Sequence, residues 1–345
     1  MHFINAQITN FRGIEQIRLE FEPGFHLIKG MNGKGKTSIL DALTTGLSGI
    51  LSGIEGCFTE HFTREEISKA YTLSDDGSLT CDYSVPVEVT LVAAIEGVNI
   101  PVRWIMSRTS IHASKTSIQP KETSALLRRL GKKAESDLPV LSFQGVGRAC
   151  SQKFEKTENI FRKKYERTVG YLDALSDSTN LRFLYNWCSK MEKTAEYETV
   201  MNASADFACR MDGGKPYRFF LDKKAEEFMC QNGNNILPLG RLSAGFQSLI
   251  WMVLDIACRM ALLNPHKKEE LTKSKGIVLI DELDMHLDPK WQVNVIDALR
   301  AVFPNVQFIA TTSSPIIIES AKEVRVIDIE NGEPEYSDLK DSQKN

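Results

Sequence analysis

No C-x-x-C pair occurs among the seven cysteines, which stand at 57, 81, 150, 188, 209, 230 and 258. That scatter argues against a zinc module and a disulfide framework, so the thiols are expected to be reduced and structural. Positive charge is not in excess either: 42 Lys and Arg against 45 Asp and Glu give a net charge of -3. Any nucleic-acid contact must then come from a local basic patch. No apolar run is expected to reach bilayer-spanning length, and the opening Met1, His2, Phe3, Ile4, Asn5, Ala6 lacks the basic-then-apolar pattern of a secretory leader. Internal repeats and long low-complexity tracts are missing as well. These absences point to a cytoplasmic globular chain without a membrane partner. At 345 residues and 42% hydrophobic it is long enough for one large core or two modest domains.

What is present is Gly30, Met31, Asn32, Gly33, Lys34, Gly35, Lys36, Thr37 and Ser38, which fit G-x-x-x-x-G-K-[ST]. The apolar run 25–29 before it predicts a buried strand, and Ile39, Leu40, Leu43, Leu47 and Leu51 recur after it at helical spacing. Strand, loop and helix together are the context a phosphate cradle requires. Glycines let backbone N–H groups converge on an anion at a helix N-terminus. Lys36 is expected to reach the β- and γ-phosphates of ATP, and the Thr37 hydroxyl to ligate Mg²⁺. A glycine-rich turn with an exposed lysine is the plainer alternative, and the flanks speak against it.

Residues 3–29 alternate apolar and polar around Gly13 and predict a β-hairpin leading into the nucleotide-binding strand. Residues 85–108 predict a second hairpin, with Val87, Val89, Leu91 and Ala93 on one side of its first strand and Ile100, Val102, Trp104 and Met106 on one side of its second. Residues 109–137 carry Lys115, Lys121, Arg128, Arg129, Lys132 and Lys133. They read as a basic surface loop with one short helix, or as a mobile element that orders on a partner. A buried strand is predicted over 138–143, ending at Gln144 before the turn Gly145, Val146, Gly147, Arg148. From 151 to about 200 the pattern is helical, with Lys153, Lys156, Arg162, Lys163, Lys164 and Arg167 among Glu155, Glu158 and Glu166. This is a solvated face or a phosphate-contacting stripe. A helix with Phe219, Phe220 and Phe228 is expected next, and residues 333–345 as a loose polar tail.

Two further segments carry chemistry. Leu242, Ser243, Ala244, Gly245, Phe246, Gln247 and Ser248 precede the apolar helical stripe Leu249, Met252, Val253, Ile256, Met260. Free N–H groups and the Ser243 hydroxyl at that helix start make an anion site, or merely an N-cap. Ile277, Val278, Leu279 and Ile280 form a short β-branched run ending in Asp281 and Glu282. Such strands are central and parallel, and ligands sit at their C-terminal ends. Asp281 is expected to hold Mg²⁺, and Glu282 to polarise the attacking water.

In chain order, the phosphate loop, the 242–248 segment, the acidic strand, Asp284 to Gln292 and the run Thr311, Thr312, Ser313, Ser314, Pro315 resemble ABC-type ATPases of the SMC/RecF-like class. The runs 261–265, 280–292 and 303–312 look like the small bacterial anti-phage defence ATPases, Septu PtuA-like and OLD-type. The resemblance implies an α/β ABC ATPase head: a mixed, mostly parallel nucleotide-binding sheet, an antiparallel β subdomain and a helical insertion. The implied division is an N-terminal lobe over 1–110, the loop and insertion over 111–238, a C-terminal lobe over 239–332 and the tail. The opening Asn10, Phe11, Arg12 resembles an N-F-R segment that would place Arg12 near the nucleotide, against a solvated turn arginine. Ser243, Ala244, Gly245 and Gln247 correspond to the signature that meets the γ-phosphate held by the other subunit. Leu287 and Asp288 correspond to a D-loop across the dimer interface, with His286 a partner contact or an interior histidine. Gln144 is the candidate glutamine that senses Mg²⁺ and nucleotide. Ser313 stands where the family has a γ-phosphate-contacting histidine. A hydroxyl cannot carry imidazolium charge, so slow hydrolysis is expected.

The resemblance therefore implies an ATP-sandwiched homodimer controlling a separate effector, a nuclease in another polypeptide, with DNA as ligand. A regulatory scaffold with little turnover and a DNA-repair ATPase are the rivals.

Overall fold

The computed structural model describes residues 1–149, 161 and 165–339. Period-two burial builds the first hairpin, β1 (His2–Phe11) and β2 (Ile14–Glu20), in which Ile8 faces Ile17. β3 (Phe25–Lys29) follows and runs into the phosphate loop and α1 (Lys36–Leu51). An exposed hairpin, β4 (Lys69–Leu73) and β5 (Leu79–Tyr83), comes before the second expected hairpin, β6 (Val87–Ala94) and β7 (Val102–Arg108). β8 (Ser117–Gln119) and α2 (Leu126–Gly131) organise the basic segment as a surface loop with a short helix. Lys115, Lys121, Arg128, Arg129, Lys132 and Lys133 are all exposed there.

β9 (Val140–Gln144) is buried along its whole length. In the charged stretch that follows, Lys153, Lys156, Arg162, Lys163, Lys164, Glu155 and Glu158 lie outside the described residues. Its helical character is realised in α3 (Leu181–Met191) and α4 (Ala195–Met211). Asn180 and Thr194 cap these two helices, accepting from the N–H groups of Phe183 and Tyr197. The helix expected around Phe219 is not formed. Instead β10 (Tyr217–Asp222), β11 (Glu227–Asn232) and β12 (Asn235–Pro238) make a three-stranded antiparallel sheet. The deciding pattern is period two: Phe219 and Leu221 are buried on one strand, Phe228 and Cys230 on the next.

α5 (Ala244–Leu263) has the length and apolar composition of a membrane span, which corrects the expectation that no run reaches it. It is 94% buried inside the protein and serves as a core helix. The chain then forms β13 (Gly276–Ile280), α6 (Pro289–Gln292), α7 (Val295–Val302), β14 (Val306–Thr312), α8 (Pro315–Ser320) and β15 (Val324–Asp328). The expected loose tail is corrected through residue 339, because β16 (Glu335–Leu339) pairs antiparallel with β15, Val326 opposite Ser337; its residues 340–345 lie outside the described residues.

The core sheet runs β16-β15-β3-β14-β13-β9, parallel apart from the β16 edge. Its inner strands β13 and β14 and the edge strand β9 are buried at every position, as expected for parallel strands covered on both faces. A five-stranded antiparallel sheet, β2-β1-β6-β7-β8, lies beside it. Buried Gln307 ties the two sheets, accepting from Phe3 N–H at 2.7 Å and donating to Phe3 O at 3.0 Å. α1 packs on the antiparallel sheet through Gly46 and Gly49. A Cβ there would come within 2.5 Å of Leu91 and of Met106, respectively. Trp104 Nε1 donates to Gly46 O at 2.8 Å, fixing the helix from the same side.

Candidate active site

The phosphate loop is the turn between β3 and α1. Gly33 and Gly35 take left-handed φ values of 84° and 90°, where a side chain would be strained. No side chain caps α1, and Ile39 N–H is the amide that bonds back to Gly35 O, at 2.9 Å. The amides of Lys36, Thr37 and Ser38 are therefore the helix's N-terminal donors, which suits an anion. Lys36 is buried, and its ammonium donates to Gly30 O at 2.6 Å and Met31 O at 3.1 Å, curled over the loop. Asn32, Lys34 and Thr37 are exposed and Ser38 is half-buried. The loop is braced from the turn after β15: Met31 N–H donates to Glu330 Oε2 at 2.8 Å, and Lys34 Nζ to Glu330 O at 3.1 Å.

Arg12 is committed elsewhere in this conformation. It has a left-handed φ of 51°, pairs with Asp41 Oδ2 at 2.5 Å and Glu66 Oε1 at 3.2 Å, and lies over the Phe11 ring. Burial raises the Asp41 pKa against the opposing pull of Arg12. Arg12 thus touches the helix that begins at the phosphate loop and is not a free turn arginine.

The acidic strand end lies at the same C-terminal end of the sheet as the loop, one strand away, since Thr312 is in register with Lys29 and Ile280 with both Ala310 and Gln144. Asp281 is buried, and its Oδ1 accepts from Thr311 Oγ1 at 2.6 Å. Glu282 is exposed with φ 46°, and its N–H donates to Thr311 Oγ1 at 2.8 Å. Gln144 is buried and donates to Ser142 Oγ at 2.8 Å and Asp255 Oδ2 at 3.2 Å. Its amide nitrogen therefore points into the α5 side of the sheet. Arg148, which no sequence pattern singled out, donates to the carbonyls of Gln144, Gly145, Asp281 and Glu282. Burial pulls its pKa down to about 10, while Asp281, Glu282 and Asp284 act to raise it, so it is a cation at neutral pH.

A second cluster forms at the start of α5. Ser243 is exposed at the N-cap and makes no capping bond through its side chain; Ala244 is exposed and Gln247 half-buried. Gly245 is there because the backbone of His286 passes so close that a Cβ would lie 2.1 Å from its carbonyl oxygen. Phe246 packs on Trp291 at 4.7 Å and Tyr217 at 5.6 Å, ring centre to ring centre, joining α5 to α6 and β10. Leu287 is 7% exposed and seated in the chain's own core, so of the two expected D-loop residues Asp288 is the one presented outward. His286 is exposed, which sets aside the interior reading. Ser313 is exposed between β14 and α8, and Ser314 caps α8 while donating to Gln292 Oε1 at 2.5 Å.

A family model described as an AAA domain matches residues 6–202, and one described as an AAA ATPase domain matches residues 106–318. The chain belongs to the AAA ATPase family. This ATPase is 24% identical to the retron Vc95 probable ATPase of Vibrio cholerae serotype O1 biovar El Tor, over 94% of its own length and 73% of the relative's. It is 25% identical to the Septu protein PtuA of Bacillus thuringiensis, over 91% of its length and 72% of that protein. Its fold is that of an SMC head bound to the C-winged helix domain of ScpA, with a TM-score of 0.60 at 16% identity and 99% of both chains covered. The chain thus has the SMC-head fold that the motifs imply.

The residues fit ATP and Mg²⁺. The loop offers amides and Lys36 to the phosphates, Thr37 offers an exposed hydroxyl in the first turn of α1, and Asp281 a buried carboxylate just after β13. Among the described residues no group of three His, Cys, Asp or Glu could hold a metal. Mg²⁺ would need only one or two protein ligands together with substrate phosphates, and Thr37 and Asp281 would supply them.

Proposed function

We propose that this ATPase acts in the cytosol as an anti-phage defence switch, forming an ATP-sandwiched homodimer that controls a separate effector, a nuclease. Its names for kin, retron ATPase and Septu PtuA, support the defence setting. The observation that carries the dimer is the division of the site. Residues 30–38 follow β3, with Asp281 and Glu282 at the end of β13 in the same sheet, while Ser243 and Ala244 are exposed at the start of α5, which packs through Gly245 on the loop carrying exposed Asp288. Each cluster is half of a nucleotide site, which a second copy completes.

In this reading Lys36 leaves the loop carbonyls for the β- and γ-phosphates, and Glu282 orients and deprotonates the attacking water. Thr37 and Asp281 hold Mg²⁺, which when bound neutralises charge building on the phosphates. Ser243 and the amides of α5 meet the γ-phosphate of the partner's nucleotide. The exposed basic residues of 109–137 supply the DNA patch.

Sedimentation of the Glu282→Gln protein with and without ATP and Mg²⁺ tests the switch. ATP should shift the chain from monomer to dimer, and duplex DNA should raise wild-type turnover. A protein that binds ATP yet keeps its mass would sink the sandwich. Ser313 favours one second reading, a nucleotide-locked scaffold. Dimerisation without turnover above the Glu282→Gln background would select it.

A further inference from the structure

We infer that Arg148 is a positioning residue for ATP hydrolysis, whose guanidinium fork fixes the turn carrying Asp281 and Glu282 and joins it to the end of β9. Nη1 donates to Asp281 O at 2.5 Å, Gly145 O at 2.8 Å and Gln144 O at 3.0 Å, and Nη2 to Glu282 O at 2.7 Å. The residue is 4% exposed, so these carbonyls replace water at Nη1 and Nη2, while the buried Nε has no partner among the described residues. A planar fork serves several fixed acceptors at once, which a lysine ammonium does not match.

Glu282 needs such a clamp. It holds a left-handed φ of 46°, a conformation that non-glycine residues keep only where the surroundings over-determine it. Here three tethers do so: Arg148 on the carbonyls of residues 281 and 282, and Thr311 Oγ1 on the Glu282 N–H. The same cation faces the carboxylates of Asp281, Glu282 and Asp284 and offsets their mutual repulsion. The turn at 145–148 is fitted from the other side by Asp177, whose atoms would lie 2.6 Å from a Cβ on Gly145 and 2.8 Å from one on Gly147. Arg148 thus reaches its four carbonyls from a close-packed turn that leaves no room for those side chains. A displacement of about 1 Å at a catalytic group costs on the order of 10²-fold in rate, so losing the clamp should appear in kcat.

This inference rests on Glu282 as the base, and the test separates the two. Arg148→Lys and Arg148→Gln are compared with wild type, Glu282→Gln and the double variants for kcat, KM and binding of a fluorescent ATP analogue. Expected for Arg148→Lys is a kcat loss of about tenfold or more, with KM and affinity within about twofold of wild type. In the Glu282→Gln background neither Arg148 substitution should lower the rate further. Arg148 variants with wild-type kcat, losses that multiply with that of Glu282→Gln, or loss of nucleotide binding in both variants would overturn the assignment. Wild-type turnover in Glu282→Gln alone would instead remove Glu282 as the base.

Discussion

Ser313 sits exposed at the C-terminal end of β14, next to the Thr311 that anchors Asp281 and Glu282. A hydroxyl there donates one neutral hydrogen bond, whereas an imidazolium would add charge where negative charge builds up. Ser313→His is therefore expected to raise kcat by about tenfold with nucleotide affinity unchanged, a fraction of the 10²–10³-fold that a single well-placed donor contributes. Unchanged or lower turnover would contradict this role for the position. His26 makes a second residue-scale prediction. It is 1% exposed, and burial, helped by Arg325, lowers its pKa to about 4 from the ordinary 6.5. Its ring Nε2 accepts from Glu22 N–H at 3.1 Å. Between pH 6.5 and 4 the unfolded chain binds the proton and the folded chain does not. The contribution is therefore fully present above 6.5 and lost as pH falls towards 4, to about 3 kcal/mol at most. Urea titrations at pH 7 and 4.5 should show His26→Gln, whose amide oxygen can accept the same N–H, losing less stability on acidification than wild type. Equal acid sensitivity in both proteins would refute it.

At the scale of elements, the contact between α5 and the 284–288 loop depends on the missing side chain of Gly245. Gly245→Ala places a Cβ 2.1 Å from His286 O, which is backbone and cannot rotate away. The loop must move, at a cost of about 1–3 kcal/mol. A lowered thermal midpoint with turnover falling further than stability explains is the expected result, and a neutral substitution would contradict the contact. That approach was invisible in the sequence, where Gly245 read only as part of a signature. Legible elements were those with a dominant pattern: the alternation of β2, β6 and β7, carried in β1 past a register shift between Phe3 and Asn5, and the short, mostly apolar runs of β3, β9 and β13. β10 and β11 were misread because Phe219, Phe220 and Phe228 fit either period until the strands pair. β4 and β5 bury almost nothing and so carry no alternation to find. β16 is polar at nearly every position and is held by its pairing with β15 and by the Tyr336 hydroxyl oxygen, which accepts from Glu20 N–H at 2.8 Å. In the site, the loop and acidic pair were legible as motifs, whereas Arg148 acts through backbone carbonyls that no side-chain pattern encodes.

For the whole molecule, the two clusters pose a geometric question that one chain does not answer alone. If the site is shared, a Lys36→Ala protomer lacks a phosphate loop but offers a sound α5 terminus, and a Ser243→Arg protomer is its complement. The isologous pairing of two copies then rebuilds one complete site in each mixed dimer. The measurement is steady-state ATP hydrolysis by Lys36→Ala, by Ser243→Arg and by an equal mixture of the two at the same total concentration. The shared-site account predicts turnover in the mixture clearly above that of either variant. A mixture no more active than its components, with mixed dimers shown to form, would contradict it.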